Sequence, residues 1–171
     1  GLRPVVDMHF FIVSVEAAQA EPGFFHRMLP GQEDINRCFR PPFTRSPQSL
    51  RAKGIIDTLE QFAPEAVLDV HNTPASGPAF GVTTFRDVRH EALISLFTPR
   101  LMVTDLKLGA LMELSNERYP IVTIECGGSQ APEANRLAEE GLAAFASRED
   151  VLRPPAADFE LDYFFHPLRL E

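Results

Sequence analysis

Short apolar runs alternate with helix-forming segments along this chain of 171 residues, and that alternation leaves few possible architectures. Strands are predicted, from apolar runs that include β-branched residues, at residues 8–15, 66–70, 101–104 and 120–126. Helices are predicted, from spaced apolar positions and capping residues, at residues 48–62, 89–97, 110–116 and 132–147. Strands that alternate with helices favour an α/β fold with a parallel or mixed sheet, flanked by helices on both faces.

Two segments interrupt the alternation. Residues 16–47 form a long predicted loop rich in Pro, Gly and charged side chains, and a loop of that length inside a compact domain is usually functional. Near residue 150 the pattern gives way to Pro154-Pro155-Ala156-Ala157, which predicts a linker, and residues 159–170 then predict one further strand.

The formal net charge of −8 argues against a nucleic-acid partner, because phosphate binding requires clustered Lys and Arg. No apolar run has the roughly 18 residues that a membrane span needs, and no signal-peptide core is present, so we expect no membrane partner and a cytoplasmic location. The two cysteines have no CxxC spacing, which favours packing roles in a reduced compartment. Basic residues nevertheless concentrate in the long loop, which is either a solvated loop or an anion pocket. Between His26 and Arg45 they are Arg27, Arg37, Arg40 and Arg45, against only Glu33 and Asp34.

Two candidate catalytic side chains lie at predicted strand ends, where sites gather in open α/β sheets. His71 follows the strand at residues 66–70, and Glu125 closes the strand before Gly127 and Gly128. A histidine at a strand end is more often structural than a metal ligand. A carboxylate ending an apolar strand, however, needs a partner, a metal or solvent. Histidine for a metal and glutamate for acid–base work form the minimal pairing of a hydrolytic zinc site.

The loop segment around Asn36 and Arg37 allows two interpretations. One is a turn capped by Asp34 and followed by an apolar anchor, Phe39. In the other, the Arg37 guanidinium binds a carboxylate through two parallel hydrogen bonds and the Asn36 amide adds a donor.

Three segments carry a resemblance to a known family. DINRCF (34–39), LDVHNT (68–73) and YPIVTIECGG (119–128) resemble, in this order, signature segments of the succinylglutamate desuccinylase/aspartoacylase family of zinc carboxypeptidase-like hydrolases. The resemblance extends over about residues 8–147. It implies a zinc carboxypeptidase-like fold, a Zn²⁺ cofactor, and hydrolysis of the amide bond of an N-acyl amino acid or similar small anionic acylated substrate.

Site roles follow from the same resemblance. It implies that His71 is the third zinc ligand and that Glu125 is the general base. It assigns Asn36 and Arg37 to the carboxylate of the substrate. The arginine that polarises the scissile carbonyl has its nearest match in Arg27, although the gap to Arg37 is longer than usual.

The chain departs from the family pattern at the first two zinc ligands, because the H-x-x-E motif that supplies them is absent. The expectation is therefore a catalytic α/β core at residues 1–150 that lacks its N-terminal part. Residues 151–171 would be a linker and the first strand of a truncated C-terminal β domain.

Two other functions remain as alternatives. One is a non-catalytic small-anion-binding domain, a degenerate relative without metal. A nucleotide-binding domain is less favoured, since neither GxGxxG nor GxxxxGK[ST] occurs. A homo-oligomer is compatible with the sequence.

Overall fold

The structure is a computed structural model that describes residues 3–73, 76–154, 159–165 and 167. The α-helices are α1 (Val15–Gln19), α2 (Pro47–Phe62), α3 (Val88–Ser95) and α4 (Pro132–Ala146), and 3-10 helices span Ile35–Arg37 and Leu111–Leu114. The strands are β1 (Val67–Thr73), β2 (Phe80–Thr83), β3 (Arg100–Val103), β4 (Ile121–Gly128) and β5 (Asp162–Phe165). None of the helices in the described ranges has both the length and the apolar character needed to cross a membrane.

The five strands form one sheet in the order β1-β4-β2-β3-β5. The pairs β1–β4, β2–β3 and β3–β5 are parallel, whereas β2 and β4 are antiparallel. The predicted α/β fold with a mixed sheet and helices is confirmed.

The apolar run at residues 8–15 was the strongest strand prediction near the start of the chain, and it is wrong. No strand is assigned there, and Phe10 and Ile12 are 75% and 60% exposed. The physical reason is local capping: the Ser14 hydroxyl accepts a hydrogen bond from the Ala17 N–H at 3.4 Å, so α1 begins inside the apolar run. Apolar composition alone supplies no partner for a strand backbone.

Two further predictions differ from the structure. The helix expected at residues 110–116 is only the 3-10 helix Leu111–Leu114, because the Asn116 side-chain oxygen accepts from the Arg118 and Tyr119 N–H groups and forms a turn instead. Strand β2 was not among the predicted strands. Gly81 in β2 has a packing reason, since a Cβ there would lie 2.5 Å from the Ile94 side chain.

The chain divides into two compact units. The first contains the described residues of Gly1–Met8, Glu65–Leu106 and Met112–Glu171, and the second contains His9–Pro64 and Lys107–Leu111. The last predicted strand is observed as β5, which pairs with β3 in the same sheet. Residues 155–158 of the predicted linker and 168–171 lie outside the described residues, and the domain division at residue 150 stays a prediction.

The core of the first unit covers one face of the sheet. Alternate residues of β4, Val122, Ile124 and Cys126, join a buried cluster that includes Leu93 and Ala134 from α3 and α4. Helix α4 approaches the end of α3 so closely that a Cβ on Gly141 would lie 2.1 Å from the Phe97 ring. Both helices therefore pack on the face that these β4 side chains present.

In the second unit, α2 begins and ends as the sequence predicts. The Ser46 hydroxyl accepts from the Ser49 N–H at 3.1 Å, and Pro47 occupies the first turn. The helix ends at Ala63, which takes a left-handed conformation with φ of 50° just before Pro64. Ala52 and Leu59 form the most buried part of its apolar stripe.

Two glycine-to-alanine changes in helices should have opposite effects on stability. At Gly54 of α2 an added Cβ meets nothing within 4 Å, so Gly54→Ala should stabilise by about 0.5–1 kcal/mol through helix propensity. Gly141→Ala gains the same propensity but forces a methyl group into the buried Phe97 ring, which costs about 1–3 kcal/mol and should leave a net loss. Urea denaturation midpoints measure both, and equal stabilisation by the two variants would contradict the close packing of α4.

Candidate active site

The two strand-end candidates lie side by side in neighbouring parallel strands. In the register of β1 with β4, His71 is paired with Glu125 and Asp69 with Thr123. His71 was expected just beyond the end of its strand, and this is wrong, because β1 continues to Thr73 along β4. The ladder shifts register between His71 and Thr73, so His71 is the last regularly paired residue of β1.

Side chains of registered partners, and of residues two apart along a strand, share one face of a sheet. Asp69, His71, Thr123 and Glu125 therefore lie on one face. The helix-packed residues of β4, of which Ile124 is an example, lie on the opposite face. The candidate catalytic residues thus lie on the face of the sheet opposite to the one on which α3 and α4 pack.

The His71 imidazole is held by a carboxylate. Its Nε2 lies 2.6 Å from Asp69 Oδ1, and the two side chains are 19% and 14% exposed. The Thr123 hydroxyl, on the neighbouring strand, donates to Asp69 Oδ2 at 3.2 Å, and Thr123 is only 5% exposed. A hydroxyl, a carboxylate and an imidazole thus form a continuous chain of contacts across β1 and β4.

Asp69 and Thr123 were not among the site residues predicted from the sequence. A local signal for Asp69 was present, because a D-x-H pattern inside a strand places carboxylate and imidazole on the same face. Thr123 stands in the same relation to Glu125, two residues before it in β4. Its contact with Asp69 joins residues 54 positions apart, so it depends on the register of the strands.

Glu125 occupies a half-buried position in the middle of the sheet, between His71 of β1 and Phe80 of β2. Gly127, two residues on, has φ of +110°, and a Cβ there would lie 3.2 Å from the Gly77 carbonyl oxygen. Backbone therefore approaches this end of β4 closely. Burial, with the neighbouring Glu125 carboxylate, raises the pKa of Cys126 to about 11, so this thiol stays protonated and packs in the core as predicted.

A catalytic zinc site takes three protein ligands. Among the described residues, no three His, Cys, Asp or Glu side chains are grouped to hold a metal. The contact between His71 and Asp69 does have the form in which a zinc-bound histidine is usually held by a carboxylate. The described residues thus fit one zinc ligand and its supporting carboxylate, and they do not complete a zinc site.

The other described histidines are engaged elsewhere. His9 stacks on Phe62 with ring centroids 4.4 Å apart, and His26 contacts the Glu21 carbonyl oxygen at 2.9 Å. His90 is buried. Its Nδ1 lies 2.9 Å from Asp87 Oδ1 and its Nε2 lies 2.8 Å from the Ser115 hydroxyl. Both ring nitrogens are therefore engaged in structural contacts. His166 lies outside the described residues.

In the second unit, Asn36 and Arg37 lie in the short helix Ile35–Arg37. Asp34 caps it, since its Oδ1 accepts from the Asn36 N–H at 3.0 Å, and Phe39 is 5% exposed beyond it. The capped turn with an apolar anchor, predicted as one interpretation, is therefore observed. This geometry leaves the carboxylate-binding interpretation untested.

Asn36 has a structural contact that its sequence context did not suggest. The side chain is 7% exposed, and its Oδ1 accepts from the Leu111 N–H at 2.7 Å. Gly109 lies in the same returning segment: its carbonyl accepts from the Phe39 N–H at 3.0 Å, and a Cβ on it would lie 2.6 Å from the Arg37 carbonyl oxygen. Asn36 therefore fixes residues 107–111 against the short helix.

The arginines of the long loop differ in how far their charge is compensated. Arg27 pairs with Asp34 at 2.9 Å, and Arg45 pairs with Glu33 at 3.1 Å. Hydrogen bonding from the Ser46 hydroxyl, aided by Arg45, lowers the pKa of Glu33. Arg37 is exposed and donates to the Asn36 carbonyl at 2.6 Å, and within the described part of the chain it forms no ion pair. Its positive charge is therefore not neutralised locally.

Known structures share this fold. The succinylglutamate desuccinylase of Chromobacterium violaceum superposes with a TM-score of 0.64 at 15% identity, covering 82% of this chain and 53% of that one. The ectoine utilization protein EutE of Ruegeria pomeroyi gives 0.57 at 20%, covering 83% and 47%. A succinylglutamate desuccinylase/aspartoacylase of Rhodobacter sphaeroides gives 0.52 at 17%, covering 82% and 46%.

No family model matches the chain, and no curated protein matches it by sequence. The chain spans about half the length of the solved structures that it matches. At these identities the likeness is one of fold. The resemblance to the succinylglutamate desuccinylase/aspartoacylase family is confirmed at that level.

Asn36 and Arg37 are adjacent, yet their alanine variants should differ in stability. Asn36→Ala removes a buried side chain and leaves the half-buried Leu111 N–H without its acceptor, which should cost about 1–3 kcal/mol in the free energy of unfolding. Arg37→Ala removes an exposed side chain and should change it by less than about 0.5 kcal/mol. Chemical denaturation of the two variants compares them directly, and an unchanged midpoint for Asn36→Ala would contradict the structural role of its side chain.

Proposed function

We propose that the protein is a zinc-dependent deacylase that hydrolyses the amide bond of an N-acyl amino acid or a similar small acylated substrate. The observation that carries the proposal is the pairing of His71 with Glu125 on one face of the sheet, in a fold shared with a succinylglutamate desuccinylase. A histidine with a carboxylate behind it, next to a half-buried glutamate, is a suitable arrangement for hydrolysis.

Glu125 is the general base in this proposal. It accepts a proton from the attacking water as the water oxygen bonds to the scissile carbonyl carbon. It then returns that proton to the nitrogen as the carbon–nitrogen bond breaks, which releases a carboxylate and an amine. Its half-buried position supports this role.

His71 is a zinc ligand in this proposal, with its ring held by Asp69. Bound zinc would lower the pKa of a coordinated water to about 7. The family takes its two further ligands from an H-x-x-E motif, and this motif does not occur in the given sequence. Zinc binding is therefore proposed for the complete protein.

Asn36 and Arg37 are assigned to the carboxylate of the substrate, and Arg27 to the scissile carbonyl. The exposure of Arg37 and its uncompensated charge support its part of the assignment. Arg27 would have to exchange its ion pair with Asp34 for the substrate. An exposed ion pair of this kind contributes at most about 1 kcal/mol to stability, so breaking it for the substrate costs little.

A non-catalytic anion-binding domain is the second candidate. The observation that favours it is the ligand count, since the described residues contain no group of three potential metal ligands while Arg37 offers an exposed anion-binding group. Zinc content and turnover of the complete protein separate the two functions.

The complete protein should hold about one zinc per subunit, and His71→Ala should lower that occupancy because it removes one of three ligands. His26→Ala is the matched control, because the His26 ring contacts a backbone carbonyl oxygen and has no assigned role in metal binding. This variant should leave the zinc occupancy unchanged. Elemental analysis after dialysis measures all three proteins. A metal-free complete protein that still binds acylated amino acids would instead support the anion-binding domain.

Replacing the base should abolish most turnover without removing the metal. Glu125→Gln keeps the size of the side chain but cannot accept the proton, so turnover of acylated amino acids should fall by roughly a hundred- to ten-thousandfold. Zinc content should stay at the level of the unchanged protein.

The control for this variant is Glu117→Gln, which makes the same chemical change at an exposed position. Turnover and zinc stoichiometry are measured on the same preparations. If activity survives in Glu125→Gln, Glu125 is not the base; if zinc is lost together with activity, Glu125 is a ligand.

A further inference from the structure

The buried hydroxyl of Thr123 has no part in the proposed chemistry, yet it is hydrogen-bonded to Asp69, the residue whose carboxylate holds His71. It donates to Asp69 Oδ2 at 3.2 Å, while the other oxygen of the same carboxylate lies 2.6 Å from His71 Nε2. Thr123 is 5% exposed, so water has little access to the hydroxyl.

The use of both oxygens restrains the carboxylate. An aspartate carboxylate can rotate about its terminal bond, since such torsions have broad minima. A second donor on the second oxygen restricts that rotation. Thr123 is well suited to supply it, because a β-branched side chain has a restricted χ1 and because β4 fixes its backbone beside Asp69.

The contact with Asp69 also selects the form of the neutral imidazole. An ionised carboxylate can only accept hydrogen bonds, so the His71 nitrogen facing Asp69 must carry the proton. The tautomer with hydrogen on Nε2 is therefore favoured as long as the carboxylate keeps its orientation.

We propose that Thr123 is a positioning residue that acts through Asp69: it fixes the carboxylate, and the carboxylate holds His71 in the Nε2–H tautomer beside Glu125. The consequence for turnover rests on the proposed function, whereas the effect on the tautomer does not. The contact that gives Thr123 this role is its hydrogen bond to Asp69, and no role in binding substrate is assigned to it.

Two substitutions at this position separate the hydroxyl from the shape of the side chain. Thr123→Val keeps the branched shape and removes the donor, whereas Thr123→Ser keeps the donor. The matched control is Thr98→Val. Thr98 is also buried and also donates through its hydroxyl, but it does so to the Ala79 carbonyl at 3.0 Å.

The measurement is long-range ¹⁵N–¹H NMR of the histidine rings in the metal-free complete protein, at a pH where imidazole is neutral. The ring signals of His71 are identified as those that disappear in His71→Ala. The unchanged protein should show mainly the Nε2–H tautomer, and Thr123→Val should shift His71 towards a mixture. Thr123→Ser and Thr98→Val should retain the original pattern. Deacylase turnover should fall roughly tenfold in Thr123→Val with little change in KM, and should recover in Thr123→Ser.

A dominant Nδ1–H tautomer in the unchanged protein would overturn the proposal without any variant, even if Thr123→Val failed to fold. An unshifted tautomer in Thr123→Val would overturn it as well, and so would an equal shift in Thr98→Val. If the tautomer responds as expected but no acylated substrate is hydrolysed, the positioning role stands and the proposed deacylase function fails.

Discussion

The parallel pairing of β1 with β4 is the constraint on which the rest of the first unit depends. Side chains along a strand alternate between faces, so a slip of one residue would move every side chain of β1 to the wrong side. The observed register places Asp69 beside Thr123 and His71 beside Glu125. At the same time it keeps Ile124 and its alternating neighbours in the helix-packed cluster. Burial of that apolar face thus sets the geometry of the polar face.

The second unit uses polar side chains to shape a loop that lacks long helices or strands. Asp34 caps the short helix, Asn36 binds the backbone at Leu111, and Glu33 meets both Arg45 and the capping residue Ser46. These contacts engage Glu33 and Asp34, the two acidic residues between His26 and Arg45, while Arg37 keeps an uncompensated charge. An acidic protein can in this way present a positive charge at one position. The nearby carboxylates are paired with other groups, and at short range these pairings matter more than the net charge of the protein.

Elements with local determinants could be predicted from the sequence. Helix α2 follows from the Ser46 cap and Pro47, and β4 follows from a continuous apolar run. Residues 8–15 have an equally apolar sequence, but Ser14 caps helix α1, which begins at Val15. A pattern of hydrophobicity does not show whether another strand is in place to pair with such a segment.

The site was predictable to a similar extent. Glu125 and His71 could be found because each stands out in an apolar strand. Asp69 and Thr123 matter only through a contact between residues 54 positions apart, and the sequence does not give the register that creates it. The hydrogen bond from Asn36 to Leu111 likewise joins distant parts of the chain.

The energetic cost of the polar face is an argument for its function. Apolar side chains of similar volume at these positions of β1 and β4 would be as stable or more stable, because taking a carboxylate out of water is costly even when it is well bonded. Asp69 is held at 14% exposure by a hydroxyl and an imidazole, and Glu125 lies half-buried one row further along the sheet. The fold does not require these groups, since the helix-packed face already supplies the buried core. Packing alone gives no reason for two carboxylates and an imidazole in neighbouring rows, and this supports the chemistry proposed at this face.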